Sequence, residues 1–94
     1  MHINELETPT LLVDHTALEA NIQRMANYCK QHEINLRVHV KSHKSPMIAY
    51  KQIDAGACGI VCQKLSEAKV FADAGFHDIL IPYNIVGQEK LDRL

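Results

Sequence analysis

"DAGACGIVCQKLSEAKVFADAGFHDILIPY", residues 54–83, decides the fold. The triplet Asp-Ala-Gly occurs twice in it, at 54–56 and 73–75, a spacing of 19 residues. Each copy stands between a helix-patterned run and a short apolar run. "LSEAKVFA" (65–72) reads as a helix, and "CGIVCQ" (58–63) and "DILIPY" (78–83) read as strands. Gly56 and Gly75 are well placed as left-handed helix ends, where a side chain would be strained. Short apolar strands alternating with helices predict parallel strands joined by right-handed crossovers. The second and third strands lack polar alternation, which calls for cover on both faces. The pattern predicts a parallel α/β fold. A β/α barrel and a doubly wound sheet both fit it.

The same unit extends upstream. "INLRVHV" (34–40) alternates and is rich in β-branched residues, so it predicts the first strand, with "KSHK" (41–44) as the loop after it. Ser45-Pro46 then opens a helix, with Ser as N-cap and Pro at the first helical position. Further back, "TPTLLVD" (8–14) predicts a strand or extended arm. A helix starts at Asp14 or Thr16, and Thr16 and Glu19 have the spacing of a capping box. Leu18, Ile22, Met25 and Cys29 form one apolar stripe for core packing, and the helix runs to about His32. "GQEKLDRL" (87–94) predicts a fourth helix.

Composition narrows the classes. With 47% hydrophobic and 22% charged residues, the 94-residue chain is a folded domain rather than a disordered segment. Ten basic residues against eleven acidic ones leave a net charge of -1, so nothing draws the chain as a whole to nucleic acid or anionic lipid. No apolar run is long enough to span a membrane, and "MHINELETPT" lacks the apolar core of a signal peptide. Three cysteines, an odd number, fit a reduced, cytoplasmic setting. Cys58 and Cys62 are four apart, as are His39 and His43, but no second matched pair makes a zinc motif. Two small core thiols are the preferred reading.

The first strand poses the functional question. Leu36, Val38 and Val40 share one face, and Arg37, His39 and Lys41 share the other. An edge strand with a wet face would explain this pattern. So would a barrel interior, provided the cationic groups find partners or an anion. Position favours the barrel: Lys41 stands at the carboxyl end of the strand, where β/α barrels place their active sites. A lysine there, partly desolvated and near other cations, has an amine available for Schiff-base chemistry with a carbonyl.

"RVHVKSHKSP" (37–46) followed by "GACGIVCQKLSEAKVFADAGFHDILIPYNIVG" (56–87) resembles the N-terminal part of the D-threonine aldolase and D-serine dehydratase-like family. The resemblance runs from "TPTLLVD" to "NIVG", and its specific element is the R-x-H-x-K-[TS]-H-K pattern. It implies an alanine racemase-like (β/α)8 barrel that carries pyridoxal 5'-phosphate (PLP), with Lys41 as the Schiff-base lysine. It further implies that Arg37 and His39 line the barrel beneath the cofactor as support. Gln63, Tyr83 and Asn84, at the ends of the second and third strands, are candidate wall residues. His43 and Lys44 match the motif, His43 as a further wall candidate, though both could equally cap the loop or the next helix. "TPTLLVD" would pair with a C-terminal β-domain.

The reaction implied is that of a PLP-dependent lyase on a D-3-hydroxy amino acid. Retro-aldol cleavage to glycine and an aldehyde is the leading outcome, and elimination to a keto acid and ammonia is the alternative. "CQKLSEA" and "ILIPYN" resemble the aldolase branch. The family's divalent metal engages the substrate hydroxyl, and its ligands match no part of this chain. A whole barrel takes about 250 residues, whereas about three βα units are present here. The expectation is therefore an N-terminal fragment, inactive alone, of a parent that is a homo-oligomer, a dimer. A PLP carrier without turnover, and a fragment that only packs on a partner, are the readings from other classes.

Overall fold

The computed structural model describes residues 1–94. Helix α1 (His15–Gln31) leads into strand β1 (Arg37–His39). Helix α2 (Pro46–Asp54), strand β2 (Gly59–Val61), helix α3 (Leu65–Asp73), strand β3 (Ile79–Leu80) and a single turn of helix, α4 (Gln88–Leu91), follow. The strands form one parallel sheet in the order β1-β2-β3, with Val38 opposite Ile60 and Ile60 opposite Ile79. Three parallel βα units therefore succeed one another, as the repeat predicts. The strands are shorter than their apolar runs because few residues face a partner. The ladder still reaches beyond β1, from the Leu36 carbonyl, which accepts from Cys58 N–H, to the Val40 N–H, which donates to Val61.

The helix ends carry the repeat. After α2, Gly56 (φ +120°) lets its own N–H reach the Ile53 carbonyl and the Ala57 N–H reach Gln52. After α3, Gly75 (φ +96°) does the same with Ala72, and Phe76 with Phe71. This is the paired-bond Schellman ending, completed at α3 by an edge-on contact between the Phe71 and Phe76 rings, 5.4 Å apart. Helix α1 ends the same way, with Glu33 (φ +56°) in place of glycine: Glu33 N–H meets Lys30 and Ile34 N–H meets Cys29. All three strands are thus launched by one device.

Val38, Val40, Ile60 and Cys62 point toward α2 and α3, where Ala49, Ala68, Phe71 and Phe76 close the core. The opposite face is open. Val61 is half-buried there and Leu80 is exposed, so the cover expected on both faces exists on one only. The helices of the two crossovers, α2 and α3, are of one hand and so lie on one side. The dimensions agree: the radius of gyration is 15.8 Å, against about 12 Å for a compact chain of this length.

Two details of the N-terminal region differ from expectation. The Asp14 carboxylate caps α1 by accepting from Ala17 N–H (2.9 Å), so Thr16 lies inside the helix and forms no capping box. Glu19 instead reaches Lys51 of α2 and His15. Met25 is 52% exposed, whereas Leu18, Ile22 and Ala26 are half-buried. Residues 8–14 form an arm outside the sheet, with Leu11 almost wholly exposed. No helix is long and apolar enough to cross a membrane.

Candidate active site

Strand β1 delivers Lys41 to a tight turn at its carboxyl end. The turn Lys41–Lys44 is closed by the Lys44 N–H on the Val40 carbonyl (2.8 Å). Lys44 takes a left-handed φ of +51°, a conformation that a non-glycine residue holds only when its surroundings impose it. Lys41 is exposed, and none of the five ion pairs of the chain includes it. The partial desolvation expected at this amine is not supplied by the elements present, because the sheet face beside it is open.

His39 lies next to it on that face, half-buried. Its Nδ1 accepts the Lys41 backbone N–H (3.3 Å), which leaves the proton of the neutral ring on Nε2. Nε2 stands 3.5 Å from the Tyr83 hydroxyl, at the outer limit of a hydrogen bond. The rings are 6.3 Å apart and tilted by 44°. Tyr83, Asn84 and Gln63 line one cleft of about 180 Å³ between the ends of β2 and β3, together with Ser66, Lys90 and Arg93. The three wall candidates thus converge, and Tyr83 links them to His39 and Lys41.

Arg37 shares the open face but stands at its other end. Lys41 is four positions further along, about 13 Å on an extended chain. Its guanidinium passes over Gly59 to the Asp78 carboxylate, at 2.7 and 3.0 Å. Arg37 is therefore a tie across the strands, beneath the site rather than beside Lys41. His43 turns away from the open face. Its Nδ1 accepts the Ser45 N–H (3.0 Å), and its Nε2 donates to Gln52 of α2 (3.1 Å). It braces the entry to α2, whose N-cap is Ser45.

Glu67 escaped the sequence reading. It is the buried charged side chain of the chain, 6% exposed. Its Oε1 accepts the Gln63 N–H (3.1 Å) and its Oε2 pairs with Lys44 Nζ at 2.6 Å. Burial works to raise its pKa, but the Lys44 ammonium and the Gln63 N–H outweigh that and hold it below the usual value. A Glu at the third position of a helix, reaching back to free N–H groups, is the signal that could have marked it. Cys62 lies close by with no exposed surface, and burial followed by the Glu67 charge pushes its thiol up to about 11. No three His, Cys, Asp or Glu side chains converge where they could hold a metal ion.

An exposed lysine and a half-buried histidine thus stand at the carboxyl end of a parallel strand of an α/β fold, beside residues from the next two strand ends. No family model matches the chain. Individual proteins do. The chain is 45% identical over 86 residues to a D-threonine aldolase from Arthrobacter sp., covering 92% of this chain and 23% of that enzyme. It is 41% identical over 95 residues to 3-hydroxy-D-aspartate aldolase of Paracoccus denitrificans, covering 100% and 24%. The crystal structure of D-threonine aldolase from Filomicrobium marinum superposes with a TM-score of 0.94 at 45% identity, over 97% of this chain and 24% of that one. The chain is homologous to the N-terminal quarter of the D-threonine aldolase, 3-hydroxy-D-aspartate aldolase and D-serine dehydratase family. It spans about a quarter of the length of the relatives it matches.

Proposed function

We propose that the chain is the lysine-bearing N-terminal part of a PLP-dependent lyase for D-3-hydroxy amino acids, with D-threonine aldolase-type cleavage as its reaction. The observation that carries this reading is the Lys41 amine. It is exposed, has no carboxylate partner and stands beside His39 at the carboxyl end of β1. The residues present fit a cofactor that carries an aldehyde: a free amine to hold it, and a cleft lined by Gln63, Tyr83 and Asn84 to flank it. When bound, PLP supplies an electron-poor ring system able to hold the negative charge that develops at the substrate Cα.

The chain's own residues have distinct tasks in this reading. Lys41 Nζ binds the cofactor. His39 fixes the first bond of the turn through Nδ1 and keeps a proton on Nε2, within reach of the Tyr83 hydroxyl. Arg37 supports the sheet from below through Asp78. Solved structures of D-threo-3-hydroxyaspartate dehydratase from Delftia sp. HT23 include a metal-free form. In the present reading the metal ligands lie outside these 94 residues. A dehydratase outcome is the second reading, because the chain is also 41% identical to that Delftia enzyme over 75 residues.

The test is to incubate the chain with PLP, reduce with borohydride and map the adduct. Labelling at Lys41 is expected, and labelling only at other lysines overturns the assignment. The 94-residue chain alone is expected not to turn over D-threonine. In a protein that includes the rest of the barrel, glycine with acetaldehyde marks the aldolase, and a keto acid with ammonia marks the dehydratase.

A further inference from the structure

The turn after β1 carries two lysines three residues apart, Lys41 and Lys44. Both belong to the same short loop, and either amine could meet an aldehyde arriving at the open face. Their surroundings differ. Lys41 is exposed and unpaired, whereas Lys44 Nζ lies 2.6 Å from Glu67 Oε2. The Glu67 side chain is only 4% exposed, although Lys44 itself is 58% exposed.

We infer that Glu67 is a positioning residue that engages Lys44 as an ammonium and so leaves Lys41 as the reactive amine of the turn. This rests on the proposal that Lys41 binds the cofactor, and adds what excludes the neighbouring lysine.

Three observations support it. First, the buried Glu67 carboxylate needs a cation, and Lys44 is the one hydrogen-bonded to it; its other hydrogen-bond partner is the neutral Gln63 N–H, and His39 acts on it only through space. Deprotonating Lys44 would leave a buried charge without a counter-charge, a costly state. Second, the backbone aims Lys44 at Glu67 at some expense. Its left-handed φ of +51° is held by the Val40 carbonyl, and the next N–H is tied to His43 Nδ1. Third, Glu67 belongs to the following βα unit, 23 residues further along the chain. The pair therefore fastens the β1–α2 turn to the start of α3 across the top of the sheet.

The chemistry follows from the lone pair. An amine joins an aldehyde by forming a C–N bond and releasing one water molecule. An ammonium has no lone pair with which to begin. Lys44 gives up its proton only by losing the pair with Glu67, whereas Lys41 has no such pair to lose.

Trace acetylation with acetic anhydride near neutral pH, read peptide by peptide by mass spectrometry, tests this without any cofactor. In the native chain Lys44 should react about five- to tenfold more slowly than Lys41, the factor expected of a charge-assisted hydrogen bond shared with solvent. In urea the two should react alike. Equal rates in the native chain overturn the inference. Glu67→Gln should bring Lys44 up to the rate of Lys41 and add a second PLP–borohydride adduct at Lys44; a Lys44 that stays slow in this variant also overturns it. Lys44→Arg, which keeps a cation on Glu67, should leave Lys41 labelling unchanged, and a Lys41 that loses its reactivity there counts against the inference. If Glu67→Gln does not fold, the native-to-urea comparison on the unaltered chain decides. Failure of PLP to label Lys41 would defeat the cofactor assignment but leave the acetylation ratio as a separate result.

Discussion

The guanidinium of Arg37 spans the middle strand and grips the Asp78 carboxylate with two hydrogen bonds, at 2.7 and 3.0 Å. Arg37 starts β1 and Asp78 precedes β3, so the pair closes over the start of β2. The residue beneath is Gly59, paired in register with Arg37. A Cβ at Gly59 would collide with the guanidinium and stand 2.9 Å from the Asp78 carbonyl oxygen. The absent side chain is what allows the tie.

Gly59→Ala is therefore expected to destabilise the fold by about 1–3 kcal/mol, the usual cost of overpacking. The arginine can swing away, but the Asp78 carbonyl belongs to the sheet and cannot. Urea unfolding of the variant and the parent chain measures the difference. A loss within error of zero would mean that β3 shifts freely, against the ladder bond that Ile60 N–H donates to Asp78.

The three helix endings give a contrast of opposite sign. Gly75→Ala should destabilise by about 1–2 kcal/mol, because an L-residue pays for a left-handed φ. Its Cβ would also stand 2.9 Å from the Tyr50 hydroxyl, which donates to the Ala74 carbonyl. Glu33 already occupies that conformation at the end of α1, so Glu33→Gly should stabilise by about 0.5–1 kcal/mol. Thermal or urea midpoints moving in the same direction for both substitutions would refute the shared geometry.

These endings also show what the sequence could reveal. Gly56 and Gly75 announced two of them, and with the apolar runs between them they carried the parallel topology. The third was hidden because Glu33 takes a glycine's conformation without being one. The site was legible in the same uneven way. Lys41 and His39 follow from alternation and position at a strand end. The ties from Arg37 to Asp78 and from Lys44 to Glu67 join residues 41 and 23 positions apart, and no local pattern encodes which distant carboxylate a cation will find. His43 stood in the motif but serves α2, since rotation within a turn is set by tertiary packing. The open face of the sheet could not be read from the apolar character of β2 and β3, which looks the same whether or not a layer covers it.

Acid should act on the carboxylates that these ties hold. The pKa values of Glu67, Asp78 and Glu19 are all lowered in the folded chain, the last two chiefly by their hydrogen bonds to Arg37 and Lys51. A group whose folded pKa is depressed stabilises fully above its unfolded pKa, and that stability is lost as the pH falls through the folded value. At neutral pH Glu67→Gln should cost about 1–2 kcal/mol, less than a fully buried hydrogen bond to a charged group because the Lys44 partner is more than half exposed. The gap from the parent chain should narrow as the pH drops below about 4, where carboxylates protonate. Unfolding curves at pH 7 and near pH 3 measure both gaps, and an equal gap at the two would mean that the substitution acts through shape alone.

The cysteines supply the last prediction. Cys58 is exposed, Cys29 is buried and Cys62 has no accessible surface. Alkylation proceeds through the thiolate and needs access. The Cys62 thiol fails on both counts: it lies beneath the β2–α3 loop, and burial with the Glu67 charge pushes it up to about 11. Brief iodoacetamide treatment of the native chain near pH 8 should therefore modify Cys58, leaving Cys62 untouched until the chain is unfolded. Because Cys62 sits in the core layer with Val40 and Phe71, its labelling rate also reports how often the sheet separates from α3. Rapid native labelling of Cys62 would show that this layer opens freely, and it would remove the packed support on which the placement of Glu67, and through it of Lys44, depends.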